Sequence, residues 1–392
     1  MDTRTVLQIA VPVAAAAVAT AVAAPLIADA VSGDDAPPDP MPAPDPSASA
    51  ANEAQAGRAQ IENLPTRPLH TAPAPVADPA PVAPTRTYMN PVFDADAPDP
   101  SVVRGEDGAY YAFTTETAGL PFQVLRSEDL VHWERKGAAF AGSGPAWIDR
   151  HRWAPDVTRT GDHYTMLYSG RGSDGNMRIG YATAATAAGP YQDRGVLVDA
   201  EGVGYTIDPD LVETPDGWKL YYGSTGGQDA SPGSGHGISE VNVDIADDGT
   251  LTVTDTPRVV LSNHGERTLV EGALLQQHDG LWYLFYSDGR WDAKGGTDDY
   301  AVKVARSSSP DGPFEKLGTP IMSAGNGFTG PGHMSIATDD SGRDWMLYHA
   351  WGQDAAKGRM LMIDPITWKD GWPTVGDDGH PSHGAATAPV VE

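Results

Sequence analysis

The sequence predicts an all-β fold, a five-bladed β-propeller with four-stranded antiparallel blades, on two recurrences and the interval between them. A turn followed by an aromatic strand occurs five times, as EDGAYYAFTT, TGDHYTMLYS, PDGWKLYYGS, HDGLWYLFYS and SGRDWMLYHA. The turn glycines Gly108, Gly161, Gly217, Gly280 and Gly342 recur at intervals of roughly 53 to 63 residues, long enough for one four-stranded sheet per unit. Three of these strands lead into an apolar strand and a turn closed by an aromatic, in VLRSEDLVHW, IGYATAATAAGPY and VKVARSSSPDGPF. That pattern predicts Trp133, Tyr191 and Phe314 between neighbouring blades. A two-sheet sandwich also uses short strands with Gly and Pro turns, but it has no reason to repeat one motif at a fixed interval.

Taken in order, residues 1–30 begin with Asp2 and Arg4, run through a mostly apolar stretch from Val6 to Ile27, and end in the A-x-A pattern Ala28-Asp29-Ala30. They read as a signal peptide, which predicts a secreted, extracellular protein. An uncleaved N-terminal anchor is the alternative, because roughly 20 apolar residues can span a bilayer; the alanine richness, Pro12 and Pro25 weigh against it. Residues 31–87 are rich in Pro, Ala and Asp and nearly free of aromatics, so they cannot bury enough apolar surface to fold. They form a disordered linker. Residues 88–375 are the predicted propeller and residues 376–392 a flexible polar tail. Within the propeller, GRGSDG at Gly170–Gly175 fits the dinucleotide fingerprint, yet the strand NMRIGYATA follows where a phosphate site needs a helix N-terminus. It reads as a hairpin loop.

The charge balance narrows the function. With 53 acids against 26 bases, a net charge of −27, the chain has no positive stripe for a nucleic-acid backbone. It has no cysteine, hence neither a disulfide framework nor a lipid-attachment site, and a monomer is expected. H-E-x-x-H and G-x-S-x-G are both absent.

The acids are more informative. Asp99 in APDPSVVR and Asp208 in TIDPDLVE each precede a proline and an apolar strand, and Glu271 lies in TLVEGALL. Proline biases the preceding residue toward an extended backbone and pins the chain, which would hold a carboxylate at the start of a strand. Asp94 and Asp96, by contrast, read as turn residues. Because the three acids begin different repeat units, a propeller brings them to the central channel, where three carboxylates are costly unless used or paired. Trp153, in RWAPDV, is either a wall for a ligand or blade packing, and Asp156 in the same motif reads as structural.

Taken together, NPVFDADAPDPSVVR, RWAPDV, TIDPDLVE, LVEGALL, GPGHMSI and IDPITWKDGWP resemble glycoside hydrolase family 43 over about residues 89–373. The resemblance implies a secreted inverting enzyme that cleaves α-L-arabinofuranosyl or β-D-xylosyl linkages in plant polysaccharides or oligosaccharides. Asp99 would be the general base, Glu271 the general acid, and Asp208 the carboxylate that tunes and orients Glu271. His333 matches the family histidine near the channel axis, where a structural calcium is expected, and no cofactor is needed for the chemistry. Arg290 and Arg359 are candidate substrate contacts beside Trp153. Ala273 and Met334 depart from the common family residues and leave the sugar open. An endo-1,5-α-L-arabinanase, or a non-catalytic carbohydrate-binding propeller, are the alternatives.

Overall fold

A computed structural model describes residues 86–199, 205–225, 237–266, 269–292 and 300–392. The expected signal peptide and all but the last two residues of the expected linker lie outside them. The described residues build five antiparallel sheets in chain order, each with its first strand innermost, and so form the expected propeller. The first blade comprises Ser101–Arg104, Tyr110–Thr114, Gln123–Ser127 and Trp133–Ala138. The second is Arg150–Thr160, His163–Arg171, Met177–Ala184 and Gln192–Asp199, with GRGSDG as the expected hairpin loop between its middle strands. In the third, Tyr205–Thr214, Gly217–Thr225 and Gly237–Ile245 are followed by two short strands, Leu251–Val253 and Arg258–Ser262, which share the outer edge. The fourth is Val270–His278, Leu281–Asp288, Ala301–Ser307 and Glu315–Lys316.

The fifth blade closes the ring. Thr329–Thr338, Asp344–Trp351 and Arg359–Lys369 are its three inner strands, and the outermost, Phe93–Asp96, arrives from before the first blade and pairs Phe93 with Leu361. Residues 376–392, expected as a flexible tail, are instead built in. Ala386 pairs with Tyr88, Ala388 enters the core between the fifth and first blades, and Val390 N–H donates to Asp339 Oδ2 at 3.0 Å. The tail's apolar residues find a partner in the N-terminal strand, which composition alone does not reveal.

All five repeat glycines have positive φ, from +62° at Gly161 to +118° at Gly217, as a tight hairpin turn requires. The aromatic strands behind them are buried on both faces. Tyr110 and Ala112 join the apolar cluster shared with the fifth blade, while Tyr111 and Phe113 join the cluster shared with the second. Each of the five apolar clusters spans one blade-to-blade junction. Period-2 alternation therefore sends successive side chains to different neighbours, which explains why these strands read as continuous apolar runs. Tyr191 packs edge-on against Phe113 of the preceding blade (5.6 Å, 85°), and Phe314 and Trp133 lie against the clusters of their own junctions.

Candidate active site

At one end of the channel each innermost strand has, in its first half or just before it, a residue in the left-handed backbone region: Asp99 (φ +54°), Ala154 (+43°), Asp208 (+57°), Gly272 (+60°) and His333 (+47°). In blades two to five the strand pairing slips at this point, between Trp153 and Asp156, Ile207 and Asp210, Glu271 and Leu274, and Gly332 and Ser335. Such a bulge re-aims a side chain out of the sheet. Asp99 and Asp208 are therefore not extended, as their prolines suggested; at Asp208 the bulge overrides that bias, Asp99 takes the same φ just before a strand whose pairing does not slip, and Asp tolerates positive φ better than most residues. Glu271 also differs from expectation. It stands one residue before the left-handed position, matching Trp153 and Ile207, and so is not in register with Asp99 and Asp208.

Two belts of hydrogen bonds tie these starts together. In the first, the N–H of the left-handed residue donates to a side chain on the preceding blade: Ala154 to Thr115 Oγ1 (2.7 Å), Asp208 to Ser169 Oγ (2.9 Å), His333 to Ser287 Oγ (2.8 Å) and Asp99 to His349 Nδ1 (3.1 Å). The third blade has Gly223 at this place and no side chain to offer, so Gly272 N–H donates to Asp208 Oδ2 instead (3.0 Å). Asp208 is thereby bonded to the residue that follows Glu271. In the second belt, Val157, Leu211, Leu275 and Val102 donate to Ser101, Asp156, Asp210 and Ser335 respectively, at 2.7 to 3.0 Å.

The first belt rims a cavity of about 80 Å³, room for on the order of six waters. Asp99, Asp208, Glu271, His333 and Arg359 supply its polar groups, and Trp153, Tyr205, Ile207, Leu269 and Trp291 its apolar wall. Asp99 is the most heavily bonded. Arg359 Nη1 donates to Oδ1 at 2.7 Å, Thr115 Oγ1 to Oδ2 at 2.5 Å, and His349 Nδ1 lies 3.2 Å from Oδ1. Burial alone would raise this carboxyl, but the Arg359 guanidinium, with His333 and His349, holds it well below the usual carboxylate range. These partners favour the anion of Asp99. His349, fully buried and beside Arg359, is pushed down to about 4 and is a neutral ring.

Glu271 is in the opposite state. Burial, then the charge of Asp208, pushes its carboxyl well above the ordinary range, and the bond that Tyr300 Oη donates to Oε1 (2.9 Å) only partly offsets this. Burial pushes Asp208 up as well; His333 pulls the other way and the Asp99 charge adds to the rise. One cavity thus pushes one carboxyl toward its anion and another toward its neutral acid, the opposed settings that acid–base chemistry needs.

Of the expected site residues, Asp99, Asp208, Glu271, Trp153, His333 and Arg359 come together at this cavity. Arg290 does not: it turns to Asp292 (3.0 Å), and its neighbour Trp291 lines the cavity with the Arg359 guanidinium 5.0 Å from its ring. His333 Nδ1 lies 3.7 Å from both Asp99 Oδ1 and Asp208 Oδ2, placing an imidazole between two carboxylates. Among the described residues no group of three His, Asp or Glu side chains is arranged to hold a metal ion, and the calcium expected at His333 has no support here. Sequence reasoning missed Tyr300, His349 and Thr115. His349 was recoverable, because the repeats place Ser169, Gly223 and Ser287 at its position and a histidine breaks that series.

Asp156 and Asp210 belong to the second belt. Burial pushes Asp156 up to about 6 and Asp210 well above its usual value, the latter reinforced by the charge of Asp156. A carboxyl raised in the folded state costs stability as pH climbs through its folded value, because the native chain then binds more protons than the unfolded one. Asp156→Asn keeps an acceptor for Leu211 N–H and removes the charge. It is expected to raise the melting temperature at pH 8 and to leave it unchanged at pH 4, as scanning calorimetry at the two pH values would read.

Known proteins are similar to this chain in sequence and fold. A Bacteroides ovatus protein described as a non-reducing end α-L-arabinofuranosidase is 28% identical over 313 residues, 75% of this chain, which spans 54% of that relative's length. A probable arabinan endo-1,5-α-L-arabinosidase A of Aspergillus flavus is 30% identical over 305 residues, covering 71% of this chain and 90% of the relative. The crystal structure of a thermostable family-43 glycoside hydrolase superposes with a TM-score of 0.67 at 26% identity, over 78% of this chain and all of that one. The profile of glycosyl hydrolases family 43 matches residues 88–373, the five blades and the three carboxylates within them, and the chain belongs to that family.

Proposed function

We propose that this chain is an inverting glycoside hydrolase that releases terminal α-L-arabinofuranosyl or β-D-xylosyl residues from plant polysaccharides or oligosaccharides. The observation that carries the reading is two carboxyls in opposite settings at one small cavity, Asp99 bonded by Arg359 at 2.7 Å, which favours its anion, and Glu271 buried beside Asp208, which favours its neutral acid. Inversion needs such a pair, one carboxylate to take a proton from water and one acid to protonate the leaving oxygen from the other side. The Bacteroides ovatus relative, described as a non-reducing end enzyme, favours release from a chain end over internal cleavage. The walls fit the same ligand: Trp153, Tyr205 and Trp291 offer apolar faces to the ring, and Arg359 and His333 offer donors to its hydroxyls. The relatives, described as an arabinofuranosidase, an arabinan endo-arabinosidase and, in Formosa agariphila, a β-xylosidase, bracket the substrate class. Export through residues 1–30 belongs to the same proposal.

The test is a panel of aryl α-L-arabinofuranoside, aryl β-D-xyloside and linear arabinan, with the anomeric proton of the first-formed sugar followed by NMR. Release of a monosaccharide with inverted configuration is expected. Retention, or silence on every pentoside, would remove the reading, and faster cleavage of linear arabinan into oligomers would replace it with the endo-acting one.

A further inference from the structure

We propose that Tyr300 is a positioning residue that keeps the proton of Glu271 on Oε2, the oxygen left free for the cavity. The inference deepens the reading above and rests on it. Tyr300 precedes the strand Ala301–Ser307 and is 2% exposed; its Oη donates to Glu271 Oε1 at 2.9 Å. Among the described residues no group bonds Oε2. The phenol ring is fixed in place from two sides. It lies parallel to the buried His349 ring (centroids 5.9 Å apart, 8° between planes), and a Cβ at residue 332 would sit 2.1 Å from its Cε1, so only a glycine leaves it room.

A carboxylic acid carries one proton, and its carbonyl oxygen is a better acceptor than its hydroxyl oxygen. The bond from Tyr300 to Oε1 therefore favours the proton of Glu271 on Oε2. The alternative has Glu271 donating from Oε1 to the phenol oxygen while Tyr300 turns its own hydrogen to Ser287, which would hide the acid from substrate. Ser287 Oγ already accepts from His333 N–H (2.8 Å), which takes one of its two acceptor positions and leaves one for Tyr300 in that arrangement. Tyr300 also remains a donor at every working pH, since burial and the charges of Glu271, Asp99 and Asp208 push its hydroxyl well above 10.

In the reaction, the proton passes from Oε2 to the glycosidic oxygen as the bond to the anomeric carbon breaks and its electron pair stays on that oxygen. Water adds to the anomeric carbon and gives its proton to Asp99. The new Glu271 carboxylate then receives the full strength of the Tyr300 bond, which is stronger to an ionised acceptor. The charged groups facing Glu271 are Asp208, Asp99 and Arg359, and none of them donates to it at hydrogen-bond distance among the described contacts.

Tyr300→Phe removes the donor and keeps the ring. Its kcat/KM is measured on a series of aryl and alkyl glycosides of whichever pentose the wild type releases. The expected result is a loss of roughly 10- to 100-fold with poor leaving groups, part of what a general acid supplies, and of less than about 3-fold with a dinitrophenyl leaving group that needs no proton. The alkaline limb of the pH profile should move up, because the bond favoured the charged form of Glu271. Equal loss across the series, or none, would overturn the proposal and leave Tyr300 as packing. Gly332→Ala, which displaces the ring without removing the hydroxyl, should reproduce the same leaving-group pattern, and it decides the question if Tyr300→Phe does not fold. Failure of the underlying reading looks different: the wild type would then release no pentose, or Glu271→Gln would show no leaving-group dependence.

Discussion

Glu271→Gln is expected to lower kcat/KM on an oligosaccharide by roughly 10³- to 10⁴-fold, the upper part of what a general acid contributes, while costing less than about 10-fold on a dinitrophenyl pentoside. Gln retains an Oε1 that can accept from Tyr300, so the cavity keeps its shape and the missing element is the proton. The alkaline limb of the pH profile should disappear with it, since that limb reports ionisation of an acid raised by burial and by Asp208. Stability follows the same sign. A carboxyl raised in the folded state destabilises the protein as pH rises through its folded value, so the Gln variant should match the wild type in acid and melt higher at alkaline pH. Denaturant unfolding at pH 5 and pH 9, beside the leaving-group series, reads both effects. A loss independent of leaving group would reassign Glu271 to substrate binding.

Much of this arrangement is legible in the sequence, for a physical reason. A propeller repeats one unit, so turn glycines, aromatic strands and blade-closing aromatics recur at a fixed interval, and Asp99 and Asp208 stand out as Asp-Pro pairs at the same place in two units. What the pattern could not give was the local backbone. The bulge in the innermost strands of blades two to five puts Asp208 at positive φ and shifts Glu271 by one place, and a bulge depends on pairing between strands rather than on the residues before and after it. Tyr300 was invisible for another reason. It approaches Glu271 from 29 residues away, through a contact between neighbouring elements that no spacing rule describes. Arg290 and Trp291 show the limit at single-residue scale: both follow the second strand of the fourth blade, and one turns to Asp292 while the other lines the cavity. The tail fails to read as ordered because its order lies in one short pairing with Tyr88 and a few anchored residues.

Asp99→Asn is expected to remove activity by about 10⁴-fold or more on every substrate, dinitrophenyl pentosides included, because activation of water is needed whatever group leaves. That uniformity separates it from Glu271→Gln and is the clearest sign of which carboxylate is base and which is acid. Its effect on stability should also be opposite. Asp99 is depressed in the folded state by Arg359, His333 and His349 against the pull of burial. The stability it contributes is present above its unfolded value near 4 and is lost as pH falls through the lower folded value. Removing the charge leaves Arg359 without its partner at 2.7 Å, a change that costs on the order of 3 kcal/mol for a buried pair. Asn still accepts from Arg359 through Oδ1, which softens the loss. Tm at pH 7 should therefore drop, and the gap to the wild type should narrow as the pH is lowered toward 3. If the variant unfolds alike at both pH values, the charge of Asp99 is not what the native cavity depends on. If it also cleaves a dinitrophenyl pentoside at the wild-type rate, another group activates the water. Both measurements use one protein preparation, so folding damage cannot pass for loss of the base: a folded, inactive Asp99→Asn with an intact Glu271 is the outcome that fixes the two roles.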